Sequence, residues 1–346
     1  MSAKYPLKIK ENYDLFFNPN RLLSYLYIGF YILIGGRGIG KTTGLLILFF
    51  KRWLSNGEQF VLVRRYKNEI KKAKGCFDKI VSGVTIKNVG DGVYEFRYQN
   101  KVMGWGIALT IQQSVKSGIN FEYVKYILYD EAVLKASATS RYLADEIHFL
   151  FELISTITRE RDDYKVFIVG NNADIFNPYF EYFSIPTFDN VYIDKERGIY
   201  CELCPTKEEL LEQEKKSPLY RATKNTSYGE YHYNNKVLVD SDDIKIGVKD
   251  YRDKLLFRLV FNNQTLNVYL RRDNELSLFI EWRDKVIDDS MTYKIMENNN
   301  PNYMYMKLYR TNDIKSLVDR AYYTKAVTYQ NEKAYQIFKH FMEELK

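Results

Sequence analysis

Gly35, Gly40, Lys41 and Thr42 stand in the spacing GxxxxGK[ST], within Ile34-Gly35-Gly36-Arg37-Gly38-Ile39-Gly40-Lys41-Thr42-Thr43. That spacing suits the capture of a phosphate chain. Glycines let the backbone curl so that successive N–H groups point inward, and a helix N-terminus adds partial positive charge. Lys41 has the reach for the β- and γ-phosphates of ATP, and the Thr42 hydroxyl suits Mg²⁺. The whole run from Gly35 through Gly36, Arg37, Gly38, Ile39 and Gly40 to Thr43 is therefore taken to touch nucleotide. A glycine-rich turn without a ligand is the bland alternative. The apolar run FYILI before the loop and LLILFF after it argue against that, because they supply the strand and helix a phosphate loop needs.

A phosphate loop alone does not imply hydrolysis. The run Tyr123 to Glu131 reads as a mostly apolar strand ending in two adjacent carboxylates. Neighbouring strand residues point to opposite faces, so Asp130 can join the magnesium shell while Glu131 is free to polarise an attacking water. Tyr164 to Asn172 is another buried-type strand with a polar tip, where Asn171 could approach the γ-phosphate or the water from the far side. Two strand-like segments, residues 59–66 and 104–110, lie between the loop and Asp130. An inserted strand with a Glu beside the Asp marks the additional-strand, catalytic-glutamate class of P-loop ATPases, a mostly parallel sheet between helices. The base-reading NKxD motif of GTPases is missing, since Asn235-Lys236-Val-Leu238 lacks its Asp.

The segment after Glu131 carries apolar residues at 143, 147, 150, 154 and 157, a helical spacing. It ends in Arg159-Glu160-Arg161. Two readings of these arginines stand level: cations that complement the helix dipole, or a finger offered to a neighbouring subunit's nucleotide, which implies a ring.

With 346 residues the chain has length for about two domains. Its longest apolar runs fall short of the roughly 18 residues of a membrane span, and the N-terminus lacks a signal-peptide core. A cytoplasmic location and no membrane partner are expected. Cys201 and Cys204 read as small apolar side chains on a strand, because no second Cys/His pair completes a zinc set. The net charge is +7, and residues 1–228 hold its excess, with 32 Lys+Arg against 26 Asp+Glu. The densest piece, Arg64 to Lys74, reads either as a solvated helix face or as a surface for a polyanion.

Beyond the ATPase core, residues 191–194 and 199–204 look like a hairpin. A capping box at Thr206 to Glu209 is expected to start a short helix, and the polar piece from Ser217 to Tyr228 to interrupt the pattern. The expected organisation is an ATPase domain over 1–197, a linker unit over 198–228 and a small α+β domain over 229–346. Three strands followed by helices suit an RNase H-like core in the last part. An RNase H-type nuclease needs clustered carboxylates for two metals. The candidate strand 255–261 carries Arg258 and no acid, although Asp240, Asp242, Asp243 and Glu281 lie nearby in sequence, so an inactive domain is favoured.

The loop, the Tyr129-Asp130-Glu131 tip, the Gly170-Asn171-Asn172-Ala173 strand end followed by Asn177-Pro178-Tyr179-Phe180, and the total length together resemble the DNA-packaging ATPases of phi-29-type small tailed phages. The resemblance implies a homopentameric ring at the portal vertex that pumps double-stranded DNA into a preformed capsid in the host cytoplasm. Its implied partners are the portal and prohead, with the need for a scaffold RNA left open. It also implies that the C-terminal domain is a relic of the large-terminase nuclease. Another nucleic-acid-translocating ATPase, such as a helicase or loader, is the main rival, and a non-hydrolytic P-loop switch serving as a scaffold is the second.

Overall fold

A computed structural model describes residues 6–8, 11–90, 92–111, 119–134, 142–143, 145–171, 177–185, 188, 190–225, 244–261, 264–272, 276–285, 287, 292–294, 304–305 and 313–344. The sequence expectations for Asn172, Ala173, Asn235, Lys236, Asp240, Asp242 and Asp243 lie outside these. The chain divides into two units, Met1–Asp174 with Phe188–Val237, and Ile175–Thr187 with Leu238–Lys346.

The first unit is built on β1 (Phe30–Gly35), β2 (Gln59–Arg64), β3 (Val84–Gly90), β4 (Val93–Tyr98), β5 (Lys101–Ala108), β6 (Val124–Asp130), β7 (Lys165–Asn171), β8 (Val191–Asp194) and β9 (Ile199–Cys204). They form one sheet in the order β3-β4-β5-β2-β6-β7-β1-β9-β8. The six strands from β5 to β9 in that order are parallel, while β3, β4 and β8 are antiparallel additions at the edges. Parallel central strands are covered on both faces and so carry continuous apolar runs. Tyr31 to Ile34, Phe60 to Val63 and Ile127 to Tyr129 are accordingly buried along their length.

Helix α1 (Lys41–Asn56) buries Leu45 to Phe50 against this sheet and stops at Gly57, whose φ of 74° gives the left-handed cap that returns an N–H to Trp53 O. After β2 come α2 (Lys67–Lys72) and α3 (Lys74–Ile80), and α4 (Glu146–Thr158) joins β6 to β7. Helix α4 buries Leu150, Leu153, Ile154 and Ile157, on the face that the apolar spacing marked.

The strand inserted between the phosphate-loop strand β1 and the carboxylate strand β6 is β7, the one that ends in Asn171. Neither of the two segments that separate the motifs in sequence takes that place. The hairpin β3–β4 is not legible in the sequence, because β3 has no alternation of buried and exposed residues: Val84 is buried and most of the rest is exposed. The expected linker over 198–228 also needs correction: β9 pairs in parallel with β1 over six residues and is an inner strand of the first unit's sheet. Its Cys201 and Cys204 are buried, and burial pushes the Cys204 thiol up to about 12.

Helix α6 (Glu208–Lys215) starts from Lys207 with no side-chain cap, so Thr206 does not close the expected box. The stretch expected to break the pattern holds a further helix, α7 (Pro218–Thr223), after the short α5 (Pro178–Tyr182) and α6. Ser217 caps it by accepting from Tyr220 N, with Pro218 in the first turn.

The second unit holds a seven-stranded sheet, β10-β16-β13-β12-β11-β14-β15. Its elements are β10 (Lys245–Ile246), β11 (Lys254–Phe261), β12 (Gln264–Arg272), β13 (Leu276–Arg283), β14 (Thr292–Lys294), β15 (Met304–Tyr305), α8 (Asp313–Tyr323), β16 (Val327–Tyr329) and α9 (Glu332–Glu344). Strands β11 to β13 are antiparallel, the three strands the sequence marked, and β14 and β15 add in parallel beyond β11. Helices α8 and α9 cover one face through Val318, Ala321, Ile337, Phe338 and Phe341. On alternate positions a cross-strand row runs Arg258, Asn267, Glu281. Its one carboxylate, Glu281, accepts from Asn267 and Tyr269 and pairs with Arg283.

Candidate nucleotide site

Parallel strands in an open α/β sheet gather ligand chemistry at their C-terminal ends. Gly35, Asp130 and Asn171 end β1, β6 and β7, with Gly35 opposite Asn171 and Asp130 opposite Val169 in register. The loop between β1 and α1 is a cradle that only glycine allows. A Cβ on Gly35 would lie 2.5 Å from Cys204 O, and Gly40 sits at a φ of 88°, in the left-handed region. Arg37, Gly38 and Ile39 also border a cavity of about 220 Å³, closed on the other side by Thr206, Leu210, Gln213 and Glu214.

Lys41 is buried and folds back on its own loop, its Nζ donating to Gly35 O and Gly36 O at 2.8 Å each. Burial pulls its pKa down to about 8, with Asp130 and Cys204 opposing. Thr42 Oγ1 donates to Asp130 Oδ1 at 2.7 Å, so the hydroxyl and the carboxylate expected to share a metal are already in contact. These hard oxygen donors suit Mg²⁺, and the cradle beside them suits its phosphates.

Burial pushes the Asp130 carboxyl up, against the nearby Arg64 charge and the Thr42 hydroxyl. Glu131 projects its carboxylate outward, 56% exposed, from a backbone φ of 57°. A non-glycine residue there is strained by about 1–3 kcal/mol and needs surroundings that enforce it.

Two arginines that the sequence reading left in a basic run belong to this site. Arg64 ends β2, next to β6, and reaches Asp130 Oδ2 at 2.5 Å and Glu131 Oε2 at 2.7 Å. Burial works against its charge, and the two carboxylates more than offset this. Arg65 follows and pairs with Glu146. Of the run's cations, Lys67, Lys71 and Lys72 stand exposed on α2. The signal was available: two arginines closing an apolar strand cannot both reach solvent as a helix face does.

The finger candidates lie at the C-terminus of α4, at the start of β7, a strand length of about 20 Å from the loop edge. Arg161 is engaged there. Its guanidinium donates to the carbonyls of Phe121, Glu122, Val124, Ile157 and Thr158 at 2.8–3.2 Å, pinning α4 to the entry of β6. Arg159 is exposed, with a φ of 51°, and its guanidinium meets no hydrogen-bonding or ionic partner among the described residues.

A model of the Podovirus DNA encapsidation protein (Gp16) family matches residues 11–344. The chain belongs to that family. It is 28% identical to the DNA packaging protein of Bacillus phage phi29 over 334 residues, 94% of this chain and 98% of the relative. It is 30% identical to that of Bacillus phage B103 over 238 residues, 69% of this chain and 73% of the relative. A solved structure of the bacteriophage phi-29 viral genome packaging motor assembly contains a chain that superimposes with a TM-score of 0.61 at 26% identity, covering 94% of this chain and 99% of that one. The expected kinship with phi-29-type packaging ATPases, the α/β P-loop fold and a role in viral genome packaging thus stand on nearly the whole chain. Among the described residues no helix is long and apolar enough to cross a membrane.

The lowered Lys41 pKa predicts a pH dependence of nucleotide binding. Below about pH 8 the empty loop already carries the ammonium that phosphates need. Above it the free amine prevails, so binding must take up a proton, and affinity should fall by up to about tenfold per pH unit. Titration calorimetry of magnesium-free ATP between pH 7 and 9.5 in two buffers of different ionisation enthalpy measures both effects. Affinity flat to pH 9.5 without proton uptake would contradict the assignment.

Proposed function

We propose that this protein hydrolyses ATP and uses the energy to drive double-stranded DNA into a preformed capsid, as a homopentameric ring at the portal. The observation that carries this reading is the convergence of Lys41 and Thr42, after β1, with Asp130 and Glu131, at the end of β6 on the other side of β7, in a chain that matches packaging proteins nearly end to end. Mg²⁺, held by Thr42 and Asp130, would supply charge neutralisation on the phosphates. The loop N–H groups and Lys41 bind and orient the β- and γ-phosphates. Glu131 accepts the proton of the attacking water, and Asn171 faces the reacting group from the β7 side.

Arg64 pairs with both carboxylates, so Glu131 exchanges that contact for the water when it acts as base. Arg159, exposed and unengaged, is the side chain we assign as finger toward a neighbouring subunit, and Arg161 is assigned to holding α4. We read the C-terminal unit as nuclease-inactive, which Arg258 in the central row and the engaged Glu281 support. The phi29 relative bears the name DNA packaging protein, and its structural counterpart comes from a motor assembly. By that likeness the portal and prohead are partners, and a scaffold RNA is a candidate one.

The reading is tested by mixing the protein, ATP, Mg²⁺ and linear duplex DNA with the matching empty proheads and measuring nuclease-protected DNA. Protection that requires ATP is the expected result. Hydrolysis without protection would favour a translocase of another kind, and no hydrolysis would favour a scaffold.

A further inference from the structure

Glu131 keeps a left-handed backbone although nothing in its own side chain favours one. Arg65 holds the backbone of this turn. Arg65 Nη1 donates to Glu131 O at 3.3 Å and Nη2 donates to Ala132 O at 2.8 Å, so one guanidinium grips the two carbonyls after the turn. Ala132 N donates to Val169 O, which ties the same turn to β7.

The guanidinium is held in turn by Glu146, the first residue of α4. Arg65 Nε donates to Oε2 at 2.6 Å and Nη2 to Oε1 at 2.7 Å, a bidentate pair whose side chains are only 3% and 2% exposed. Tyr129 OH donates to Oε1 at 2.8 Å and Leu143 N to Oε2 at 3.0 Å, so neither carboxylate oxygen relies on Arg65 alone. The Tyr129 and Tyr142 rings stack over the cation at 5.8 and 5.5 Å. A buried ion pair of this kind is weak support for stability, because apolar residues of similar volume often replace one without loss. Its geometry is aimed at the turn that carries Glu131.

We propose that Arg65 and Glu146 are positioning residues that fix the Glu131 turn so that its carboxylate is aimed at the attacking water. The inference rests on the reading of Glu131 as the water-activating group. Arg64 acts on the carboxylates of this turn, and Arg65 acts on its carbonyls. A misplacement near 1 Å at a reacting group can cost about 10²-fold in rate, so loss of the grip should appear in kcat and leave ATP binding alone.

The test is the double variant Arg65→Met/Glu146→Gln, which removes both buried charges together, keeps an oxygen for Leu143 N and offers an amide N–H to the Tyr129 hydroxyl. The expected result is a folded protein with ATP affinity within about threefold of wild type and kcat lower by about 10²-fold. A folded double variant with wild-type kcat overturns the proposal. Should the double variant fail to fold, Arg65→Lys decides: it keeps the charge pair and loses the fork. A tenfold or larger fall in its kcat at unchanged ATP affinity supports the proposal, and a smaller fall overturns it. Glu131→Gln is measured alongside. If it turns over normally, the water-activating reading fails; if it is inactive while the Arg65 variants are not, only the positioning role falls.

Discussion

Glu131→Gln is expected to bind ATP as tightly as the wild type and to hydrolyse it about 10²–10⁴-fold more slowly, the range a positioned general base contributes. The amide keeps the volume and an oxygen for Arg64, so the 2.7 Å contact that parks this side chain survives in weaker form. Thr42, Asp130 and Lys41 are untouched, and with them the phosphate cradle. Amide oxygen is a poor proton acceptor at neutral pH, so the water keeps its proton. Single-turnover hydrolysis together with fluorescent-nucleotide binding reads both halves. Turnover intact in this variant would remove Glu131 from the chemistry and leave the strained turn without a purpose.

The second large effect concerns the ring. Arg159→Ala should retain ATP affinity and lose most of its hydrolysis, since a finger supplied by a neighbour is worth about 10³–10⁵ in rate. Lys41→Ala should lose its own pocket, because the loop's ammonium is gone, while its Arg159 remains. Mixing the two inactive proteins should restore part of the activity, as some intact pockets then sit beside intact arginines. Arg161→Ala should behave differently. Its five carbonyl contacts make it a fastener, so its loss should lower thermal stability, and mixing with Lys41→Ala should rescue nothing beyond what the unfastened helix allows. Absence of rescue in every Arg159 mixture, under conditions where wild type assembles, would return Arg159 to a charge at a helix end.

Legibility in the sequence followed how local each signal was. The phosphate loop, the Asp130-Glu131 tip and α4 were readable because glycine geometry, paired acids and helical spacing are short-range features. The roles of Arg64, Arg65 and Glu146 were not. Arg64 meets Asp130 across 66 positions and Arg65 meets Glu146 across 81, and only strand order brings them together. The two finger candidates looked alike in sequence. What separates them is the set of carbonyls at the entry of β6, which no periodicity reports. Thr206 failed as a cap for a related reason: α6 begins two residues later, and Lys207 occupies the cap position instead.

The phosphate-loop strand has a consequence for how the chain is made. Strand β1 ends at residue 35, yet both of its hydrogen-bonding neighbours, β7 and β9, end at residues 171 and 204. During synthesis the most apolar strand of the sheet therefore emerges long before either partner, with two bare edges of the kind that invite mispairing. Closing such distant contacts is slow compared with local ones. A fragment ending at residue 197 would supply β7 and leave the β9 side open for good. The nascent first unit thus depends on the last strand of its sheet to seal the first.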